Sequence, residues 1–410
     1  MQLTDIPRVA AACEVAAMRG MVQSLGKVPD PRTARRPVHA LTNILAIALC
    51  AVVADCDSWE DIEEFGDDHQ AWFETFLTLP HGIPSRDTFR RVFARLKPRP
   101  FQQVLVQFIE SLREPTAGDE GADDQHFAID GKTLRSSFDQ AAEQSSLHLV
   151  EAMDTGKQLI VAQAPTHTNG DEEVKKGNEI TAIPQVLELL DLHRSVVTID
   201  AIGCQTKIAA QIVAGGGDYL LALKDNHPTL HQQVREYFLK LHAEPLPSDV
   251  YTLETTEPPA RGRREERYYT AAPLPAGLYG QDNWAGLQSL VQTTTTIKYA
   301  DKTTIDSRYF LSSLAPGEIA KIARCTRRHW WIEAAHWALD VTFGEDASRV
   351  HQGHAAENLA SLRRGALGLL KAYQQNAAHR RPKTPPTLKS LRKQAGRSTT
   401  KLANIVTQRT

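Results

Sequence analysis

The chain has 410 residues, of which 41% are hydrophobic and 23% charged, with a formal net charge of −2. That balance excludes a disordered tail, and no uncharged apolar run reaches the ~18 residues that span a bilayer, so two or three globular domains and no membrane partner are expected. Arg8, Glu14 and Arg19 interrupt any secretory leader, which points to the cytoplasm, and five scattered cysteines without a Cys-x2-Cys pair argue against a disulfide framework or a zinc module.

In chain order, residues 1–113 read as a small all-α domain. Residues 41–54 form an apolar helix, Ser58 with Asp61 makes a capping box that opens a second, and Trp72, Phe73, Phe76 and Leu77 recur at helical spacing over 71–79. Pro80, His81, Gly82, Ile83 and Pro84 make a turn. Ser85 then N-caps a helix whose apolar stripe is Phe89, Val92, Phe93 and Leu96, leaving Arg86, Arg90, Arg91 and Arg95 outside it. A helix, a short turn and a basic helix fit a DNA-reading helix-turn-helix, and they fit an ordinary surface helix with solvated arginines as well.

Residues 114–125 lack apolar periodicity and read as an acidic linker. Beyond them the texture changes to α/β. Strands are expected over 126–130, 147–153 and 158–164, the last two joined as a hairpin across Asp154, Thr155, Gly156 and Lys157. A helix follows over 179–192 with Pro184 in its first turn, then a strand over 195–200, a helix over 205–214, a strand over 218–223 and a helix over 227–241. Three strands, helix, strand, helix, strand, helix is the order of a ribonuclease H-like α/β core. Residues from about 250 to 313 turn Thr-rich and aromatic and read as a β-rich insertion, and a helical region runs from near Arg327 past Lys371 with a break around Phe343 to Glu345.

Charge is unevenly distributed. Asp55 to Glu74 carries nine acids and no lysine or arginine, whereas the tail over 372–410 is basic with no acid and is broken by Pro382, Pro385 and Pro386. The tail reads either as a solvated arm or as a contact to DNA phosphates.

The chemistry points to acids placed where hydrophobic runs end. Asp130 ends the first expected strand and Asp200 the fourth, so neighbouring strands would bring both carboxylates to one sheet edge. A carboxylate beside an apolar run costs solvation unless it is paired, with Lys132 or Lys207 for example, or bound to a metal such as magnesium or manganese. A third acid comes from RRHWWIEAAHWALDVTF. On a helical wheel Trp330, Ala334, Trp337, Ala338 and Val341 share one apolar face expected to be core, with His329, Glu333, His336 and Asp340 on its flank. Glu333 borders that stripe and would reach Asp130 and Asp200. Zinc binding by His329, Glu333 and His336 is weaker, because the spacing lacks two histidines at i and i+4.

The segments AIDGKTLRSS, KGNEITAIPQVLELLDL, VTIDAIGCQTKIAAQIV, GGDYLLALKDNHPTL, GRREERYY and RRHWWIEAAHWALDVTFGEDASR occur in order and closely resemble the ISAs-type, H-repeat-associated insertion-sequence transposases. The resemblance runs from about Asp30 to Lys371. It implies a DDE transposase, with a ribonuclease H-like core whose Asp130, Asp200 and Glu333 hold two Mg2+ or Mn2+ ions for cleavage and strand transfer. It also implies double-stranded DNA as partner, both terminal inverted repeats and target, bound by a homo-oligomer.

Broader relatives carry Tyr-x2-Arg-x3-Glu-x6-Lys around the catalytic Glu. Here Thr326, His329 and Asp340 stand at the Tyr, Arg and Lys positions, so phosphate-gripping charge would have to come from Lys224, Arg327 or Arg328, with Trp330 a further DNA-contact candidate. A catalytically silent DNA-binding descendant and a ribonuclease H-like nuclease without strand transfer are the competing readings.

Overall fold

The run LTNILAIALCAVV has no polar face, and it folds into a helix whose residues, all but Thr42, are buried. The computed structural model describes residues 6–32, 37–113, 125–138, 145–166, 178–258, 262–380 and 385–409, so the expected linker lies outside it except for Gln125. The apolar helix is α2 (Leu41–Val53), following α1 (Ile6–Leu25). At α3 (Trp59–Asp68) the capping box is present, with Ser58 Oγ accepting from the Asp61 amide at 3.1 Å and Asp61 Oδ2 from the Ser58 amide at 3.0 Å.

The helix expected over 71–79 is cut to α4 (Gln70–Phe73). Asn43 Nδ2 donates to the Thr78 carbonyl at 2.8 Å, while Phe76 and Leu77 are drawn into the core, so tertiary contacts override helical spacing. Gly82, at φ +68°, turns the chain into α5 (Arg86–Arg95). Ser85 precedes it, but its hydroxyl faces Thr88 Oγ1 at 3.2 Å and caps no amide. Then comes α6 (Pro98–Ser111).

The second layer opens with β1 (Gln125–Thr133), β2 (His148–Asp154) and β3 (Leu159–Pro165). Next is α7 (Glu179–Leu187), shorter than expected. Pro184 sits in its second turn, where the missing N–H weakens the ladder, and the helix ends three residues later. The chain continues through β4 (Ser195–Ile199), α8 (Thr206–Ala214), β5 (Asp218–Leu223) and α9 (Pro228–Ala243). Four more strands follow, β6 (Tyr251–Thr256), β7 (Arg264–Pro273), β8 (Ser289–Lys298) and β9 (Thr303–Ser312), the last three of ten residues each.

Among the described residues the nine strands form one sheet in the order β3-β2-β1-β4-β5-β9-β8-β7-β6. β1 and β2 are antiparallel, as are β2 and β3, while β1, β4 and β5 are mutually parallel, which is the ribonuclease H-like arrangement. The β-rich segment is not a separate layer. Leu221 of β5 faces Leu311 of β9 in antiparallel register, so the insertion extends the core sheet from what would otherwise be an exposed apolar edge.

Helix α10 (Ile319–Phe343) starts eight residues before Arg327, packs on β1 and β4, and ends at Gly344 with φ +58°. A connector leads to α11 (Ala355–Arg380). The tail is no solvated arm. It forms α12 (Leu388–Arg397) and α13 (Thr399–Val406), whose Leu391, Leu402, Ile405 and Val406 join one core with α2 and α11. Arg392 is fully buried, pairing with Asp57 at 2.8 Å and Asp55 at 3.1 Å, so part of the acidic stretch is neutralised from the far end of the chain.

Candidate active site

The parallel register sets Ile129 of β1 beside Ile199 of β4, so the next residues, Asp130 and Asp200, stand side by side; Asp200 follows the end of β4, whereas pairing with β2 carries β1 on to Thr133, so Asp130 does not end its strand as expected. Asp130 Oδ1 accepts from the Gly131 amide at 2.9 Å. Asp200 Oδ1 accepts from the Ile202 amide at 3.1 Å and caps the turn 201–203. Glu333 arrives on α10. All three acids line one cavity of about 1000 Å³, together with Lys224, Arg263, Arg267, Arg308 and Arg327.

The acids act on one another. Burial pushes the Asp200 carboxyl up, and the charges of Asp130 and Glu179 push it further, while burial and Asp130 raise Glu333. Carboxylates that resist ionising together are the hard-oxygen donor set a divalent cation relieves. Among the described residues no three donors are already gathered at ligating distance. The lysine partners considered from sequence do not appear. Lys132 instead donates to Asp340 at 2.5 Å, with Glu345 at 3.9 Å, and among the described residues neither Asp130 nor Asp200 is paired with a lysine.

Behind Asp130 lies a buried ionic chain that sequence reasoning missed. His336 Nδ1 stands 3.4 Å from Asp130 Oδ2, and its Nε2 is 3.1 Å from Glu151 Oε2. Glu151 also pairs with Arg364, which reaches Glu345 at 2.5 Å. Burial opposes the His336 imidazolium, but its hydrogen bonds to the Asp130 and Glu151 carboxylates overcome it and hold the group up at about 9. Burial likewise opposes the Glu151 carboxylate, and the Arg364 guanidinium outweighs it, bringing Glu151 down to about 2. The available signals were Glu151 inside the apolar run LHLVEAM and two arginines, Arg363 and Arg364, inside an apolar helix.

His329 takes a different course. Its Nδ1 meets Thr198 Oγ1 at 2.8 Å, and Thr198 in turn meets His126 Nε2 at 2.9 Å. Burial lowers His329 to about 4. The ring nitrogens of His329 and His336 used by Thr198, Asp130 and Glu151 are therefore not free for a zinc set with Glu333.

The wheel of α10 is correct but its orientation is reversed. Trp330, Trp337 and Val341 are 39%, 65% and 55% exposed and Ala334 is exposed too, so of the expected face Ala338 alone is buried, and the face that packs on the sheet carries Ile332, Ala335, Leu339 and Phe343. Those side chains, with His336, cover β1 and β4, which leaves the tryptophans at the cavity, where Arg308 stacks over Trp330 at 4.7 Å. Lys224, Arg327 and Trp330 thus line the cavity. Arg328 lies outside its wall, stacked on Trp331 at 5.5 Å. Arg86, Arg90, Arg91 and Arg95 are also elsewhere, on α5, where Arg86 faces Glu60 at 3.5 Å and Arg90 faces Asp87 at 3.1 Å.

Residues 121–369 match the family described as transposase DDE domain, and residues 22–109 match its associated domain, DDE_Tnp_1-associated. The chain is 34% identical over 360 residues to "Putative transposase YncI" of Escherichia coli O157:H7, covering 87% of this chain and 88% of that protein. It is 33% identical over 359 residues to "H repeat-associated putative transposase YhhI" of Escherichia coli (strain K12), covering 86% and 90%. A piggyBac transposase in a synaptic complex with hairpin DNA aligns with 97% of this chain and 81% of its own at a TM-score of 0.39 and 10% identity, a likeness too slight to support a conclusion.

Proposed function

The chain belongs to the transposase DDE domain family, and from that premise we propose that it is an insertion-sequence transposase that binds terminal inverted repeats as a homo-oligomer, cuts DNA and joins it to a target. The observation that carries the reading is the opening of Asp130, Asp200 and Glu333 into one cavity walled by arginines. Their hard carboxylate oxygens fit Mg2+ or Mn2+, and two ions held by them would activate a water or a 3′-hydroxyl and stabilise the leaving 3′-oxygen.

The chain's own groups prepare that site. The Gly131 amide and His336 fix the Asp130 carboxylate from two sides, and Glu151 with Arg364 fixes His336. Arg263, Arg308 and Arg327 offer guanidinium donors to phosphate oxygens, and Lys224 adds an ammonium. Trp330, held against Arg308, presents a ring to a base.

The test is a labelled duplex carrying the flanking inverted repeat, incubated with Mg2+ or Mn2+ and a target plasmid. Site-specific cleavage and joined products are expected from the native chain. Asp130→Asn, Asp200→Asn and Glu333→Gln are each expected to abolish both while retaining end binding. Binding without cleavage by the native chain would favour a silent DNA-binding protein, cleavage without joining a nuclease, and metal-dependent cutting by any of the three variants would remove that residue from the site.

A further inference from the structure

A second cavity, of about 860 Å³, lies between the start of α3, Arg90 of α5, the α10–α11 connector and Arg363 of α11. Arg363 is only 1% exposed, yet its Nε is buried without a hydrogen-bond partner, and its Nη2 has a 3.3 Å bond to the Asp57 carbonyl. A buried guanidinium with unfilled donors is costly unless an acceptor completes it. Glu345 and Asp57 favour its charge through space, but among the described residues no neighbouring carboxylate hydrogen-bonds it, and Glu345 is taken by Arg364 at 2.5 Å. Asp57 is taken by Arg392 at 2.8 Å, Asp61 by the Ser58 amide at 3.0 Å, and Glu60 faces Arg86 at 3.5 Å. Arg349, exposed on the connector, lines the same cavity, and Arg90 Nη1 donates to Gln352 Oε1 at 3.2 Å, tying α5 to the connector at its rim.

From this we propose that the cavity grips a backbone phosphate of bound DNA through Arg363 and Arg349, which rests on the DNA-binding reading above. Planar guanidinium donors match the oxygens of a phosphodiester, and a cavity of this volume admits a sugar-phosphate segment. The position is right for a strand leaving the active site. Asp340 lines the first cavity and Gly344 the second, four residues apart on one helix end, about 6 Å of rise.

The experiment is fluorescence anisotropy of the full chain on an inverted-repeat duplex in EDTA, over a salt series, with native DNA and with methylphosphonates substituted one at a time. Arg349→Gln, a surface change, is expected to reduce the slope of log K against log salt by about 1, and one methylphosphonate that weakens the native chain is expected to be harmless to the variant. Arg363→Gln is expected to act at the same phosphate, with its thermal unfolding followed alongside. Native binding with an unchanged slope in Arg349→Gln, and no phosphate whose effect the variant erases, would overturn the proposal and leave the DNA reading intact. No binding by the native chain would overturn both.

Discussion

Replacing Arg392 by Met keeps the apolar stem over Phe343, which the guanidinium now covers at 4.1 Å, and removes the charge. The native group donates to the Val52 carbonyl at 2.9 and 3.2 Å, to Asp57 at 2.8 Å and to the Thr342 carbonyl, with Asp55 at 3.1 Å. Burial already pushes the Asp57 carboxyl up in spite of that guanidinium, so removing it strands a half-buried acid and two carbonyls. Breaking one side of a fully buried pair costs about 3–5 kcal/mol, and because Asp57 and Asp55 keep 35% and 36% of their side chains exposed, a loss of about 2–3 kcal/mol is expected here. Urea unfolding at neutral pH, followed by far-UV circular dichroism, should show the midpoint fall accordingly. Adding Asp57→Asn should recover part of the loss, because the stranded charge is gone. A cost below about 1 kcal/mol, or a double variant in which the two losses simply add, would refute the claim that this pair fastens the tail to the helical layer.

The Glu151–His336 pair sets a pH window. The lowered Glu151 contributes stability that is complete above about 4.5 and is lost as pH falls toward about 2, and the raised His336 contributes stability that is complete below about 6.5 and is lost as pH rises through about 9. Stability of the metal-free chain should therefore crest between those values, and Glu151→Gln should flatten both limbs, which a denaturation series across pH would read. Truncation after Tyr373 should expose the apolar faces that α12 and α13 cover, so hydrophobic-dye binding and loss of cooperative unfolding are expected, and a cooperatively folded truncate would contradict the packing. Trp337→Ala, at an exposed ring lining the cavity, should weaken binding of the repeat duplex by about 1–3 kcal/mol if a base stacks there and leave unfolding unchanged, and an unaltered affinity would exclude the stack.

Local pattern alone carried much of this protein. Capping chemistry at Ser58 and Asp61, the order of the core elements and Asp200 at the end of an apolar strand are all written within a few residues, because strand period and end caps are short-range properties, whereas β1 runs three residues past Asp130 because β2 pairs with it out to Thr133. The composition of each face of α10 was legible too, but not which face is covered. A wheel shows which residues travel together, whereas burial is decided by what packs there, and β1 and β4 chose Ile332, Ala335, His336 and Leu339 over the tryptophans. The same holds for the chain from Asp130 through His336 and Glu151 to Arg364, and for Arg392 beside Asp57. These partners are far apart in sequence, each is an unfavourable buried charge when considered singly, and only the folded chain brings the compensating charge within reach.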